Sequence, residues 1–189
     1  EKAFSMDESD ARVFYEYDQL LKMMNYTTAQ RLKNMEDHAE LLPLRDDLYT
    51  EYITLLNING EYNKAYDLMM NHKFHPWEGG EGKITAQYRT ALMGMADKAE
   101  RAEAERYLVK ALEYPHNLGE GKLAGCMDND IYYRLGKIRE GEASQEAYKL
   151  AMRGGAEITR SVYYNDQPPE MLFYAALALK ATGKEEEAK

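Results

Sequence analysis

Apolar residues recur at helical spacing along almost the whole chain and almost nowhere alternate. Ala104, Tyr107, Leu108, Ala111 and Leu112 fall at i, i+3, i+4, i+7 and i+8, the stripe of a helix with one buried face. No stretch alternates with period two for long enough to favour a sheet. The pattern predicts helices near 9–24, 28–41, 46–58, 62–72, 84–98, 101–113, 129–139, 144–154 and 168–181. Pro168-Pro169-Glu170 marks the start of the last one, because the first turn of a helix tolerates proline. The expected class is all-α.

The helical pattern also repeats. At an offset of 34 residues Tyr15 matches Tyr49, Leu21 matches Leu55, Asn25 matches Asn59, Met35 matches Met69 and His38 matches His72. Ala65, Ala104, Ala147 and Ala188 sit early in predicted second helices, spaced 39, 43 and 41 residues apart. Small residues there let paired helices approach closely. Gly60-Glu61-Tyr62-Asn63-Lys64-Ala65 and Gly183-Lys184-Glu185-Glu186-Glu187-Ala188 both place glycine five residues before alanine. Glycine ends the first helix of a pair because it takes φ > 0 without steric cost. On these residues the chain resembles the tetratricopeptide repeat family. The resemblance implies a right-handed α-solenoid of antiparallel helix pairs, about four and a half of them. It departs from the family pattern at Arg31, where a small residue is expected, and in the long connections after the second helices. The whole of 1–189 reads as one repeat domain.

In a solenoid, equivalent connections stack along one edge. The connections at 73–83, 114–128 and 156–168 are therefore expected side by side. Two of them share a word: Gly80-Glu81-Gly82-Lys83 recurs 39 residues later as Gly119-Glu120-Gly121-Lys122. This is not a phosphate-binding loop, since no Ser or Thr follows the lysines and no strand precedes them. It reads as tight turns at the glycines, with Glu81 and Glu120 accepting from free backbone N–H groups. The candidate contact residues are His75, Trp77, Glu78, Glu81, Lys83, His116, Asn117, Glu120, Lys122, Asp128 and Asn129, with Asp130, Tyr163, Tyr164, Asn165 and Asp166 nearby. Aromatic faces flanked by carboxylates and amides suit sugar rings, and they equally suit another protein domain.

The remaining chemistry is thin. His72-x2-His75 has a metal-like spacing but no third ligand, and reads as a helix C-terminal cap. Carboxylate pairs for glycoside hydrolysis can be drawn from Glu78, Glu81, Glu120 and Asp128. In so acidic a chain such pairs arise freely, so no catalytic residue is assigned. Tyrosines such as Tyr15, Tyr49, Tyr52, Tyr133 and Tyr148, and methionines such as Met69 and Met93, are read as packing residues. No cofactor or metal is called for.

Composition narrows the partners. A net charge of −9 with no basic face disfavours nucleic acid, and it disfavours anionic lipid as well. No apolar run is long enough to span a bilayer. The single cysteine, Cys126, leaves no internal disulfide and fits a reducing, cytoplasmic setting. The first residue is not Met, and Glu185-Glu186-Glu187 reads as a helix just begun. The chain is therefore expected to be a piece of a longer protein. Phe173, Leu177 and Ala181 would then be the apolar face awaiting cover.

A narrower resemblance rests on His75-Pro76-Trp77-Glu78-Gly79-Gly80-Glu81-Gly82-Lys83, Asn117-Leu118-Gly119-Glu120-Gly121-Lys122-Leu123 and Asn129-Asp130-Ile131-Tyr132-Tyr133. These words resemble the C-terminal repeat tract of large bacterial proteins that begin with a mutarotase-like β-sandwich of unknown function. The resemblance implies that the chain is the repeat part of such a protein, and the sandwich suggests carbohydrate handling by analogy of fold. The reading taken for the chain itself is a non-catalytic scaffold module, whose loop edge docks the parent's own sandwich or whose concave face takes a peptide. The alternative it leaves open is an accessory part of a carbohydrate-active enzyme, with the loop edge completing a sugar site.

Overall fold

The computed structural model describes residues 2–122, 126–155 and 167–188, and among them all regular secondary structure is helical. The helices are α1 (Ala11–Met23), α2 (Thr28–Glu36), α3 (Asp46–Ile58), α4 (Tyr62–Met70), α5 (Lys83–Ala96), α6 (Arg101–Lys110), α7 (Asn129–Ile138), α8 (Gly141–Ala151) and α9 (Pro169–Ala181). None of these is long and apolar enough to cross a membrane. The chain divides into two compact units, Glu1–Gly94 with Pro115–Glu120, and Met95–Tyr114 with Gly121–Lys189.

In the first unit α1 packs on α2 and α3, and α3 packs on α2 and α4. Local signals fix the helix starts. Asp10 accepts from the backbone N–H groups of Arg12 and Val13, and Thr27 with Gln30 forms a capping box ahead of α2. Phe14, Met35, Leu48, Ile53, Leu55, Leu56, Met69 and Tyr88 form a core of large, fully buried side chains. Ala65 is fully buried as well.

The helix expected over 28–41 is shorter. It stops at Glu36, and a 3-10 turn over Ala39–Leu44 follows. Pro43 disfavours helical backbone at Leu42 and has no N–H to give. Leu41 and Leu42 are nevertheless buried, so their apolar pattern reports burial and not helix.

Arg31 departs from the repeat pattern for a visible reason. Its guanidinium is buried and donates from Nε and Nη2 to Asp18 at 3.0 and 2.6 Å, and from Nη2 to Glu51 at 2.6 Å. Lys22 Nζ reaches the same Glu51 oxygen at 2.9 Å. An ion network therefore joins α1, α2 and α3. Burial pushes the Asp18 carboxyl up from its ordinary range, and Arg31 opposes that push. Glu51 is also raised by burial, but the bonds from Arg31 and Lys22 prevail and hold it below its ordinary range.

In the second unit α7 packs on α6, α8 and α9, and α8 packs on α9. The described core is built on small residues, Ala104, Ala111, Ala147, Ala151 and Ala178, with Leu108, Ile131 and Leu135. A Cβ at Gly136 of α7 would lie 2.6 Å from the Tyr148 ring, so the glycine lets α8 come close. Helix α8 starts three residues before its predicted position. Ser144 looks like a helix start, but its hydroxyl donates to Gly136 O at 2.6 Å and ties α8 to α7 instead.

Candidate functional site

Within the first unit the loop after α4 and the segment 115–120 are laced together. Phe74 N donates to Asn117 O at 2.8 Å, and Gly82 N donates to Glu120 Oε2 at 2.8 Å. Asn117 Nδ2 donates to Met69 O at 2.7 Å and His72 O at 2.9 Å, taking two carbonyls at the end of α4. Gly119 adopts φ +75, and a Cβ there would sit 2.6 Å from Phe74 O. Only glycine fits both demands.

The shared word therefore does not fold the same way twice. In the first copy positive φ falls on the second glycine, Gly82; in the second copy it falls on the first, Gly119. Gly80 serves packing: a Cβ there would come 2.1 Å from Trp77 Cε2, so the indole lies directly against the glycine backbone. Glu120 accepts a backbone N–H, as the sequence suggests. Burial raises its carboxyl above the ordinary range, the Gly82 N–H works against that, and the charge of Glu81 adds to it.

His72 and His75 do not cap α4 as expected. Both meet Asp46, the first residue of α3. His72 Nε2 lies 2.7 Å from Oδ1, His75 Nδ1 lies 3.1 Å from Oδ2, and His75 N donates to Oδ2 at 2.7 Å. Burial raises the Asp46 carboxyl, but these bonds prevail and hold it below its ordinary range. Sequence reading missed Asp46. Its signal was an acidic pair, Asp46-Asp47, in the first turn of a helix, where carboxylates find free N–H groups. Arg45 donates to both Asp47 oxygens, at 3.0 and 2.6 Å. Arg45, Asp46, Asp47, His75, Pro76 and Trp77 line an open depression of about 260 Å³.

The other candidates divide clearly. Glu78, Glu81, Lys83 and His116 are exposed on the same two segments, and Trp77 is half-buried. Lys83 opens α5, and His116 opens a 3-10 turn over His116–Leu118. Lys122, Asp128 and Asn129 belong to the second unit. There Lys122 Nζ donates to Asp128 Oδ2 and, at 2.8 Å, to Leu112 O. Asn129, read from sequence as a contact residue, is buried, and its Nδ2 donates to Ala151 O and Arg153 O at 2.7 Å each. It holds the end of α8, as Asn117 holds the end of α4. Tyr163, Tyr164, Asn165 and Asp166 lie outside the described residues.

No family model matches the chain, and no solved structure matches it at a significant level.

Proposed function

We propose that this chain is a helical-repeat docking module of the tetratricopeptide kind, a right-handed array of antiparallel pairs. Its working surface is the edge formed by 75–83 and 115–120. The partner is another domain of the same parent protein, with the mutarotase-like sandwich of the resembled bacterial proteins as the first candidate. One observation carries the reading: the two loops are bonded to each other and to the end of α4 before any partner arrives. A preorganised edge spends little conformational entropy on contact. Its inward polar groups, Asp46, Asn117 and Glu120, already have partners in the fold. That leaves His75, Glu78, Glu81, Lys83, His116 and Trp77 as the groups a partner meets.

The depression beside Trp77 supports a second reading, an accessory sugar site. It sets an aromatic next to carboxylates, a guanidinium and an imidazole. The mutual engagement of Asp46 with the histidines and of Asp47 with Arg45 weighs against it, since those acceptors are not idle.

Trp77 is the sole tryptophan, so its fluorescence reports this edge alone. Adding the remaining parent domain should shift the emission, and Trp77→Ala should weaken that association by ~1–3 kcal/mol, as for a buried aromatic anchor. Neutral mono- and oligosaccharides should leave the emission unchanged; a saturable shift with sugar would favour the second reading. Hydrogen exchange that finds protection away from 74–83 and 115–120 would overturn the assignment of the edge.

A further inference from the structure

Helix α9 is apolar on every side, with Met171 to Leu179 an unbroken apolar run, yet only Met171 and Ala178 in it are buried. A helix of that composition belongs inside a core. Its end shows what kind of element covers it. Gly183 takes φ +79, its N–H donates to Lys180 O at 3.1 Å, and Lys184 N donates to Leu179 O at 2.9 Å. Helix α3 ends in the same turn. Gly60 takes φ +79, its N–H donates to Asn57 O at 3.0 Å, and Glu61 N donates to Leu56 O at 2.9 Å. After Gly60 the chain enters α4, which packs back on α3.

Superposing the two turns in sequence aligns the helices residue for residue. Leu48 and Leu55 of α3 align with Met171 and Ala178 of α9, and all four are buried. Tyr49, Tyr52, Ile53 and Leu56, a stripe at i, i+3, i+4 and i+7, are buried in α3. Their counterparts Leu172, Ala175, Ala176 and Leu179 are apolar but only half-buried. Part of the α3 stripe is covered by α4 and the residues just beyond it. The Tyr49 ring meets His72 at 4.7 Å and Phe74 at 6.0 Å between centroids, and Lys64 lies 5.6 Å from the Tyr52 ring centre. Beside the Gly183 turn an open groove of about 1030 Å³ runs past Glu140, Ser144, Lys149 and Met152 of the α8 region to Thr182 and Lys184.

We propose that the Leu172–Leu179 stripe and this groove form a docking surface for one occupant: an amphipathic helix of the same polypeptide that starts at the Gly183 turn. It returns along α9 and lies beside α8, as α4 returns along α3. The stripe it covers is the half-buried Leu172, Ala175, Ala176 and Leu179; Phe173 and Ala181, on the face read from sequence with Leu177, are exposed and lie outside that stripe. This inference does not depend on what the loop edge binds.

The chain's own α4 supplies the probe. Residues 184–189 are replaced by a copy of Glu61–His72, so that the Gly183 turn leads into a helix known to fold back. The expected result is a Tm higher by roughly 4 °C or more, the size of shift that one to two helix-face contacts give in a domain of this length. Slower hydrogen exchange in α9 should accompany it. A second graft, with Asp in place of the copied Ala65 and Met69, should give neither effect. The proposal is overturned if the first graft leaves Tm and exchange unchanged, if both grafts act alike, or if the gain appears only in a dimer.

Discussion

Asn117 and Asn129 read alike in sequence, as amides in loops that look exposed to a ligand, and both work inside the fold. Each turns its Nδ2 to two carbonyls at a helix end, where C=O groups outnumber the backbone N–H groups in reach; Met69 O also takes the His72 N–H, at 3.4 Å. Asn117→Ala should therefore destabilise the first unit by about 1–2 kcal/mol, the cost of stranding part-buried acceptors. The Phe74 N–H to Asn117 O bond is unaffected, because it uses the backbone. His116→Ala, one residue away and exposed, should stay within about 0.5 kcal/mol. Urea midpoints followed by Trp77 emission measure both, and equal effects would remove the cap assignment. This pair also shows how much of the site was legible. Of the three connections expected side by side, parts of two meet, at Phe74 with Asn117 and at Gly82 with Glu120; most of the third, 156–166, lies outside the described residues, and the sequence did not tell which side chains face outward. Asn117, Glu120 and Asn129 were spent on the chain's own backbone, and nothing in their spacing distinguishes that use from recognition. Asp46, which gathers His72 and His75, lay 26 residues before His72, beyond any local pattern.

Among the helices, Arg31 decides how the first three pack. It is buried with two carboxylates, so Arg31→Ala leaves the buried Asp18 carboxyl without its guanidinium partner. Removing one member of a buried pair costs about 3–5 kcal/mol. Arg31→Met together with Asp18→Leu should recover most of that loss, because an apolar replacement of similar volume removes both charges at once. Glu51 keeps Lys22 in the double variant. Denaturant midpoints of the two variants test this; an equal loss in both would mean that the network matters for shape and not for charge. Element boundaries were legible where local chemistry sets them, as at Asp10, Thr27 and Gly60. They were misread where tertiary contact overrides it: Leu41 and Leu42 are buried from a 3-10 turn, and Ser144 bonds to α7. The alanines at 65, 104 and 147 were legible because only close helix approach calls for a small residue at that place, and all three are buried.

At the scale of the whole chain, the two units differ in what holds them. The first buries phenylalanine, tyrosine, methionine, leucine and isoleucine. The described core of the second is largely alanine, and its α9 keeps an apolar stripe half in water. Each leucine-sized side chain buried is worth roughly 1.5–3 kcal/mol more than one left exposed, so the second unit should have the lower intrinsic stability. In arrays whose elements contact chiefly their sequence neighbours, unequal units need not unfold together. Trp77 sits in the first unit, whereas helical circular dichroism reports both. Heating should therefore remove part of the helical signal before the Trp77 emission moves, giving two curves that do not coincide, the usual sign of a transition with more than two states. Covering α9 should close the gap from the lower side: the graft at Gly183 should bring the first loss of helix towards the Trp77 transition and leave the Trp77 midpoint in place. Arg31→Ala acts in the opposite sense, pulling the Trp77 curve down towards the other. Coincident curves in the unaltered chain would mean that the two units share one cooperative core, and the difference in burial would then carry no consequence for unfolding.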